Sequence, residues 1–253
     1  SDDLIVYPNH GAGSACGKNM SKETTDTLGN QKKTNYALRP DMTKDEFIKE
    51  VLTGLTAPPQ YFPQNVLMNI KGYDSLDDVM TRANKPLTPE AFELVANETS
   101  ALILDTRDAS DFASGFIPNS INIGIDGNFA QWVGEMIPDV KQEILLITDI
   151  GNEEEVVTRL SRVGYDFTIG YLENGIQAWK NANKEVDQFE RTTADDFAKS
   201  IKENEDMLVF DVRKKSEYDS EHLVGAVNVP LNEINTNLAS FPKDKPFTIY
   251  CAG

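Results

Sequence analysis

The chain has 253 residues with 41 acidic against 24 basic side chains, a formal net charge of −17 that repels phosphate backbones and anionic membrane surfaces, so neither nucleic acid nor membrane is expected as a partner. This length accommodates two modest domains plus an appendage; no run approaches the roughly 18 to 20 apolar residues that cross a bilayer, and the start SDDLIVYPNHG lacks the basic flank and apolar stretch of a signal peptide. Two cysteines, Cys16 and Cys251, and two histidines, His10 and His222, lie far apart in sequence, which excludes a disulfide framework and a metal cluster made of sequence neighbours and points to a reducing cytoplasm.

In chain order, LIVYPNHGAGSACGKNM begins as a short apolar strand and breaks into a Gly-rich turn. VYPNHGAGSACGK, followed by TTDTLGNQKKTNYAL, resembles the C-terminal end of metallo-β-lactamase-fold domains of the glyoxalase II and persulfide dioxygenase type. The resemblance implies that His10 is the last metal-site histidine of that family, the candidate ligand in this chain. The family's H-x-H-x-D-H cluster is not in this sequence, so no cofactor is expected within it; an iron or zinc centre would belong to a missing N-terminal domain of a parent protein. Cys16 is read as a small residue in a tight loop. TKDEFIKEVLTGL at 43–55 predicts a helix with a Thr43/Glu46 capping box and one apolar face of Phe47, Ile48, Val51, Leu52 and Leu55, which should be packed against something. APPQYFPQ ends that helix, and NVLMNIKGYDSLDDVM at 65–80 reads as one further helical stretch. This mostly helical segment, 1–80, is expected to lean on the unit that follows. An apolar face left open would instead favour a homo-oligomer.

The remainder repeats itself. Residues 103–127, ILDTRDASDFASGFIPNSINIGIDG, align without a gap on 209–233, VFDVRKKSEYDSEHLVGAVNVPLNE, at an offset of 106. Asp105 falls on Asp211, Arg107 on Arg213, Ser110 on Ser216, Phe112 on Tyr218 and Asn122 on Asn228. Upstream, TPEAF at 88–92 matches TADDF at 193–197 with an offset one residue shorter, each a Thr N-cap followed by acidic residues that suit a helix start. ALILDTR and MLVFDVR predict buried strands, SINIGI and AVNVPL a further strand in each unit, EILLITD at 143–149 another, and EEEVVTRLSRV at 153–163 a helix. The two aspartates are read as acceptors for backbone N–H groups of the following turn and the two arginines as partners of acidic groups. Alternating strands and helices predict an α/β fold with parallel sheets, in which ligands gather at the carboxyl ends of strands, here after Thr148 and after Tyr250.

At 211–213, 217–230 and 249–253, DVR, EYDSEHLVGAVNVP and IYCAG resemble the rhodanese family of sulfurtransferases, as does YLENGIQAWK at 171–180. The expectation is two rhodanese-like domains with parallel sheets flanked by helices, 81–187 and 188–253, behind the 1–80 remnant of the metallo-β-lactamase-fold domain. The resemblance implies Cys251 as nucleophile, with Asp211, Arg213, His222, Ala252 and Gly253 in support; His222 is read as a structural hydrogen-bonding residue. A thiol between a strand and a helix start is favoured as thiolate by backbone N–H groups and the dipole. It would take sulfur from a small-molecule donor, thiosulfate or a low-molecular-weight persulfide, and pass it to a thiol acceptor. In the first unit Asp149 is read as standing where the cysteine would be, within a degenerate loop that includes Gly151 and Glu154, so that unit is expected to be noncatalytic. An aspartate nucleophile for phosphate chemistry would face an acidic rim that repels its substrate. The second unit is expected to be truncated after the start of its loop, leaving this piece inactive. Two other functions compete: a noncatalytic scaffold, and a zinc-dependent hydrolase of the metallo-β-lactamase superfamily.

Overall fold

A computed structural model describes residues 1–9, 22–53, 61–204 and 207–251, so His10, Cys16, Ala252 and Gly253 lie outside the described residues. The chain divides into two compact units, Ser1–Ala57 and Pro58–Gly253. In the first, β1 (Ile5–Val6) and β2 (Asp26–Thr27) form an antiparallel ribbon, followed by α1 (Leu28–Thr34) and α2 (Lys44–Leu52). The Thr43/Glu46 capping box forms as predicted. The packed face does not: Phe47, Ile48 and Leu52 are 42%, 41% and 58% exposed, and Leu55 lies outside the described residues. A ribbon of two-residue strands offers no sheet face that could cover a helix.

The second unit begins with α3 (Phe62–Lys71) and α4 (Leu76–Ala83). The sequence reads one helix here; the structure has two, because Gly72 leaves the helix at φ +88° and Ser75 caps the next one, accepting from Asp78 N at 3.2 Å. α4 buries Val79 and Ala83 in the core of the larger sheet, and its Arg82 donates to the Asp166 carbonyl at 2.8 Å. α3 and α4 thus fall in the same compact unit as the larger sheet.

Then follow β3 (Pro86–Leu87), α5 (Pro89–Glu98), β4 (Leu102–Asp105), α6 (Ala109–Ala113), β5 (Ile121–Asn122), α7 (Phe129–Met136), β6 (Ile144–Ile147), α8 (Glu153–Ser161), β7 (Thr168–Leu172) and α9 (Gly175–Asn181). The strands form a parallel sheet in the order β3-β7-β6-β4-β5. Successive residues of a strand point to opposite faces. Leu104, Ile144 and Leu146 accordingly meet Val133, Val156, Leu160 and Tyr165 on one side, while Ile103, Leu145 and Ile147 meet Phe92, Ile117 and Trp179 on the other. Both faces are covered, which is why ILLI of β6 is apolar throughout rather than alternating.

The second copy of the pattern supplies α10 (Ala194–Glu203), β8 (Leu208–Asp211), α11 (Lys215–Ser220), β9 (Val227–Asn228), α12 (Ile234–Asn237) and β10 (Phe247–Tyr250). Its sheet is again parallel, in the order β10-β8-β9, repeating β6-β4-β5. Thr88 and Thr193 both cap their helices as predicted. The faces differ: Ile249 pairs with Phe210 as Leu146 pairs with Leu104, yet Ile249 is 48% exposed and Leu146 is fully buried. Among the described residues no helix is long and apolar enough to cross a membrane.

Candidate active site

Each copy ends its central strand in the same buried clamp. Asp211 accepts from Arg213 N at 2.9 Å and Nε at 3.0 Å through Oδ1, and from Nη2 at 2.6 Å through Oδ2; Nη2 also donates to the Glu221 carbonyl at 2.7 Å. Asn228 Nδ2 donates to the carbonyls of Asp211 and Arg213 at 2.9 and 3.0 Å, fixing β9 to the same turn. Asp105, Arg107, Gly115 and Asn122 repeat the arrangement in the larger sheet. Burial by itself would lift the Asp211 carboxyl, but the Arg213 side chain, the Tyr250 hydroxyl and the Arg213 N–H together hold it below the ordinary aspartate value. The Arg213 guanidinium, bound to that carboxylate, is raised in turn. Both charges are thus engaged within the pair.

In sequence Tyr250, which ends β10, is no more than the last residue of a strand, yet it joins three parts of this corner. Its ring lies 5.4 Å from the Arg213 guanidinium, its hydroxyl accepts from Leu223 N at 3.2 Å, and burial, followed by its hydrogen bond to Asp211, raises its pKa. Cys251 comes next, a free and exposed thiol at the carboxyl end of its strand. His222 lies with its Nδ1 2.8 Å from the Tyr218 carbonyl and its ring stacked on Tyr218 at 3.8 Å.

Strand register corrects the sequence reading of the first loop. Tyr250 is opposite Asp211 and Ile147 is opposite Asp105, so the residue at the position of Cys251 is Thr148, not Asp149. Thr148 is 5% exposed and its hydroxyl has no hydrogen-bond partner among the described residues, whereas Asp149 is exposed. Gly151 turns the loop at φ +95° and donates its N–H to Glu153 Oε2 at 2.9 Å, and Glu153, Glu154 and Glu155 open α8. This is a loop closed by its own carboxylate. The facing turn approaches so tightly that a Cβ on Gly175, which has φ +62°, would lie 3.3 Å from the Thr148 carbonyl. A groove of about 540 Å³ lined by Phe129, Glu155, Arg159 and Arg162 opens beside α8, and Cys251 does not line it. Among the described residues no three His, Cys, Asp or Glu side chains converge as a metal site requires.

The rhodanese-like domain family model matches residues 88–182 and 193–253. An uncharacterized protein of Buchnera aphidicola subsp. Schizaphis graminum is 28% identical over 87 residues, 34% of this chain and 58% of that protein. Among solved structures, a metallo-beta-lactamase from Staphylococcus aureus subsp. aureus COL is 30% identical with a TM-score of 0.49, covering 68% of this chain and 46% of its own. A thiosulfate sulfurtransferase from Pseudomonas aeruginosa is 16% identical with a TM-score of 0.34, covering 72% and 38%. This chain thus spans less than two thirds of each of these relatives. Because the family model takes in the smaller parallel sheet, all of the larger one but β3, and more than half of the sequence, the chain belongs to the rhodanese-like domain family.

Proposed function

We propose that this chain is the sulfur-transferring part of a larger sulfane-sulfur protein, with two tandem rhodanese-like domains of which the second carries the reaction. The observation that supports this reading most directly is the free, exposed Cys251 at the carboxyl end of β10, beside the Asp211–Arg213–Tyr250 clamp. The Cys251 thiolate attacks the outer sulfur of thiosulfate or a low-molecular-weight persulfide; a new S–S bond forms as the donor's S–S bond breaks, and sulfite or a thiolate leaves with the electron pair. An acceptor thiolate then attacks the outer sulfur, and Cys251 departs as thiolate. Asp211, Arg213 and Tyr250 hold the strand end that Cys251 follows. The first domain, with Thr148 in the cysteine's place, holds no nucleophile and serves as a scaffold.

The parent's further domain is proposed to be a metal-dependent persulfide dioxygenase, on the resemblance of VYPNHGAGSACGK alone. The cytoplasm, where low-molecular-weight thiols are reduced, is the proposed setting. The test is sulfur transfer from thiosulfate or glutathione persulfide to cyanide by the parent protein, with Cys251→Ser as its partner. Activity and a mass increment of one sulfur on Cys251 support the assignment; activity that survives the substitution removes it.

A further inference from the structure

The turn that leads into β9 is shaped largely by its own segment. Arg213 Nη2 donates to the Glu221 carbonyl at 2.7 Å, the Tyr218 hydroxyl donates to the Ala226 carbonyl at 2.8 Å, and Ala226 N donates to the Leu223 carbonyl at 3.0 Å. Gly225 lets the backbone reverse at φ +86°. The Leu223 N–H is engaged elsewhere: it donates to the Tyr250 hydroxyl at 3.2 Å, the one hydrogen bond among the described residues that joins this turn to β10.

Tyr250 and Asp211 are register partners, so their side chains leave the same face of the sheet. The Tyr250 hydroxyl gives its single proton to the Asp211 carboxylate, while its oxygen accepts from Leu223 N. The Tyr250 carbonyl accepts from Val212 N at 3.1 Å. Residue 250 is thus pinned by its backbone to β8 and by the tip of its side chain to the turn before β9, and Cys251 is the next residue. The first copy has the backbone bond alone. Thr106 N donates to the Ile147 carbonyl at 2.8 Å, but Ile147 has no hydroxyl and shares only an apolar cluster with Ile117, the counterpart of Leu223. Apolar contact is non-directional, whereas a hydrogen bond fixes both distance and angle. The copy without a nucleophile is therefore also the copy without this tie.

Building on Cys251 as the sulfur carrier, we propose that Tyr250 is a positioning residue for the reaction: its hydroxyl, tied to Leu223 and Asp211, fixes where the reacting sulfur stands relative to the sheet. Both half-reactions need an attacking atom and a leaving atom in line at a sulfur held by Cys251, so a looser strand end lowers the fraction of time in which either can occur. The hydroxyl acts on position alone. It neither binds the donor nor sets the charge of the thiol, so its loss lowers kcat and kcat/KM together and leaves KM in place.

In the parent protein, sulfur transfer from thiosulfate to cyanide is compared for the wild type, Tyr250→Phe and Tyr250→Ile, with rates normalised to the Cys251 that takes up sulfur. Tyr250→Phe keeps the ring beside Arg213 and removes only the hydroxyl. Its kcat should fall about three- to tenfold, the equivalent of one hydrogen bond, with both KM values within about twofold of the wild type. Tyr250→Ile, which installs the first copy's residue, should fall at least as far. Iodoacetamide, a small electrophile that can approach the thiolate from many directions, should alkylate Cys251 in Tyr250→Phe within about twofold of the wild-type rate. Amide exchange at Leu223 should quicken about three- to tenfold while Val212, in the β8–β10 ladder, keeps its protection. An unchanged kcat, a shifted KM, alkylation that slows in step with transfer, or exchange at Val212 that quickens with Leu223 overturns the assignment. A wild type that takes no sulfur onto Cys251 removes the sulfur-transfer reading and this one together; an active wild type with an unaltered Tyr250→Phe removes this one alone.

Discussion

Replacing Arg107 by alanine would leave the Asp105 carboxylate, whose side chain is 0% exposed, with only the backbone N–H of residue 107 at 3.1 Å among the described residues. The lost contacts are those of Nε at 3.0 Å and Nη2 at 2.6 Å to the carboxylate, and of Nη2 to the Gly115 carbonyl at 3.0 Å. Removing one partner of a buried pair typically costs about 3–5 kcal/mol, because a charge remains without compensation. Arg107→Lys keeps the charge but not the fork, and should cost about 1–3 kcal/mol. Adding Asp105→Asn to the alanine variant removes the stranded charge, so the double variant should be more stable than the sum of the single effects implies. Both tryptophans, Trp132 and Trp179, pack on the larger sheet, one on each face, so urea unfolding followed by intrinsic fluorescence reports on the sheet that holds the clamp. A loss below about 1 kcal/mol for Arg107→Ala, or strict additivity in the double variant, would refute the view that the pair matters through buried charge.

Buried and exposed leucines of the larger sheet's unit should respond differently to truncation: Leu146→Ala, fully buried in β6, should cost about 2–5 kcal/mol in the same unfolding assay, whereas Leu94→Ala, 61% exposed on α5, should cost under about 1.5 kcal/mol. Asp166 is lifted above its ordinary value of 3.8, chiefly by burial, with Ser161 and Arg82 opposing the rise and Asp74 adding to it. A raised acid favours the fold when protonated, a contribution fully present below the unfolded value and lost as pH rises through the folded one. Asp166→Asn should therefore stabilise the protein at neutral pH, with the gain disappearing as the pH falls towards 3.8; a constant gain across that window would contradict this. Finally, register places Thr148 rather than Asp149 in line with Cys251. In a Cys251→Ser background, a thiol introduced by Thr148→Cys should react with a maleimide more than about tenfold more slowly than one introduced by Asp149→Cys, since the former must wait for local opening. Equal rates would refute the placement.

The self-alignment made the central strands and their capped helices legible, because each is carried by local chemistry: a Thr before acidic residues, and an apolar run ending in Asp-x-Arg. What escaped was decided by partners distant in sequence. TIGYL of β7 is short and holds a glycine, and it is a strand because Gly170 pairs with Leu145 of β6 and Tyr171 with Leu146. The break between α3 and α4 did leave a signal, GYDSLDD, in which a glycine and an S-x-x-D cap separate two helices that one apolar periodicity seemed to join. At the candidate site the thiol and the Asp–Arg clamps could be named from sequence. The role of Tyr250 could not, because its link to Leu223 exists only once β10 lies beside β8. The one-residue slip at Asp149 arose from counting loop residues without the strand register that defines where a loop begins.

The larger sheet ends in β3 and β5, each two residues long. So short an outer strand offers few free N–H and C=O groups to a strand from another molecule, and Pro86 of β3 has no amide to give. The apolar run of β6, which would invite stacking into aggregates if it stood at a rim, is the middle strand of the five.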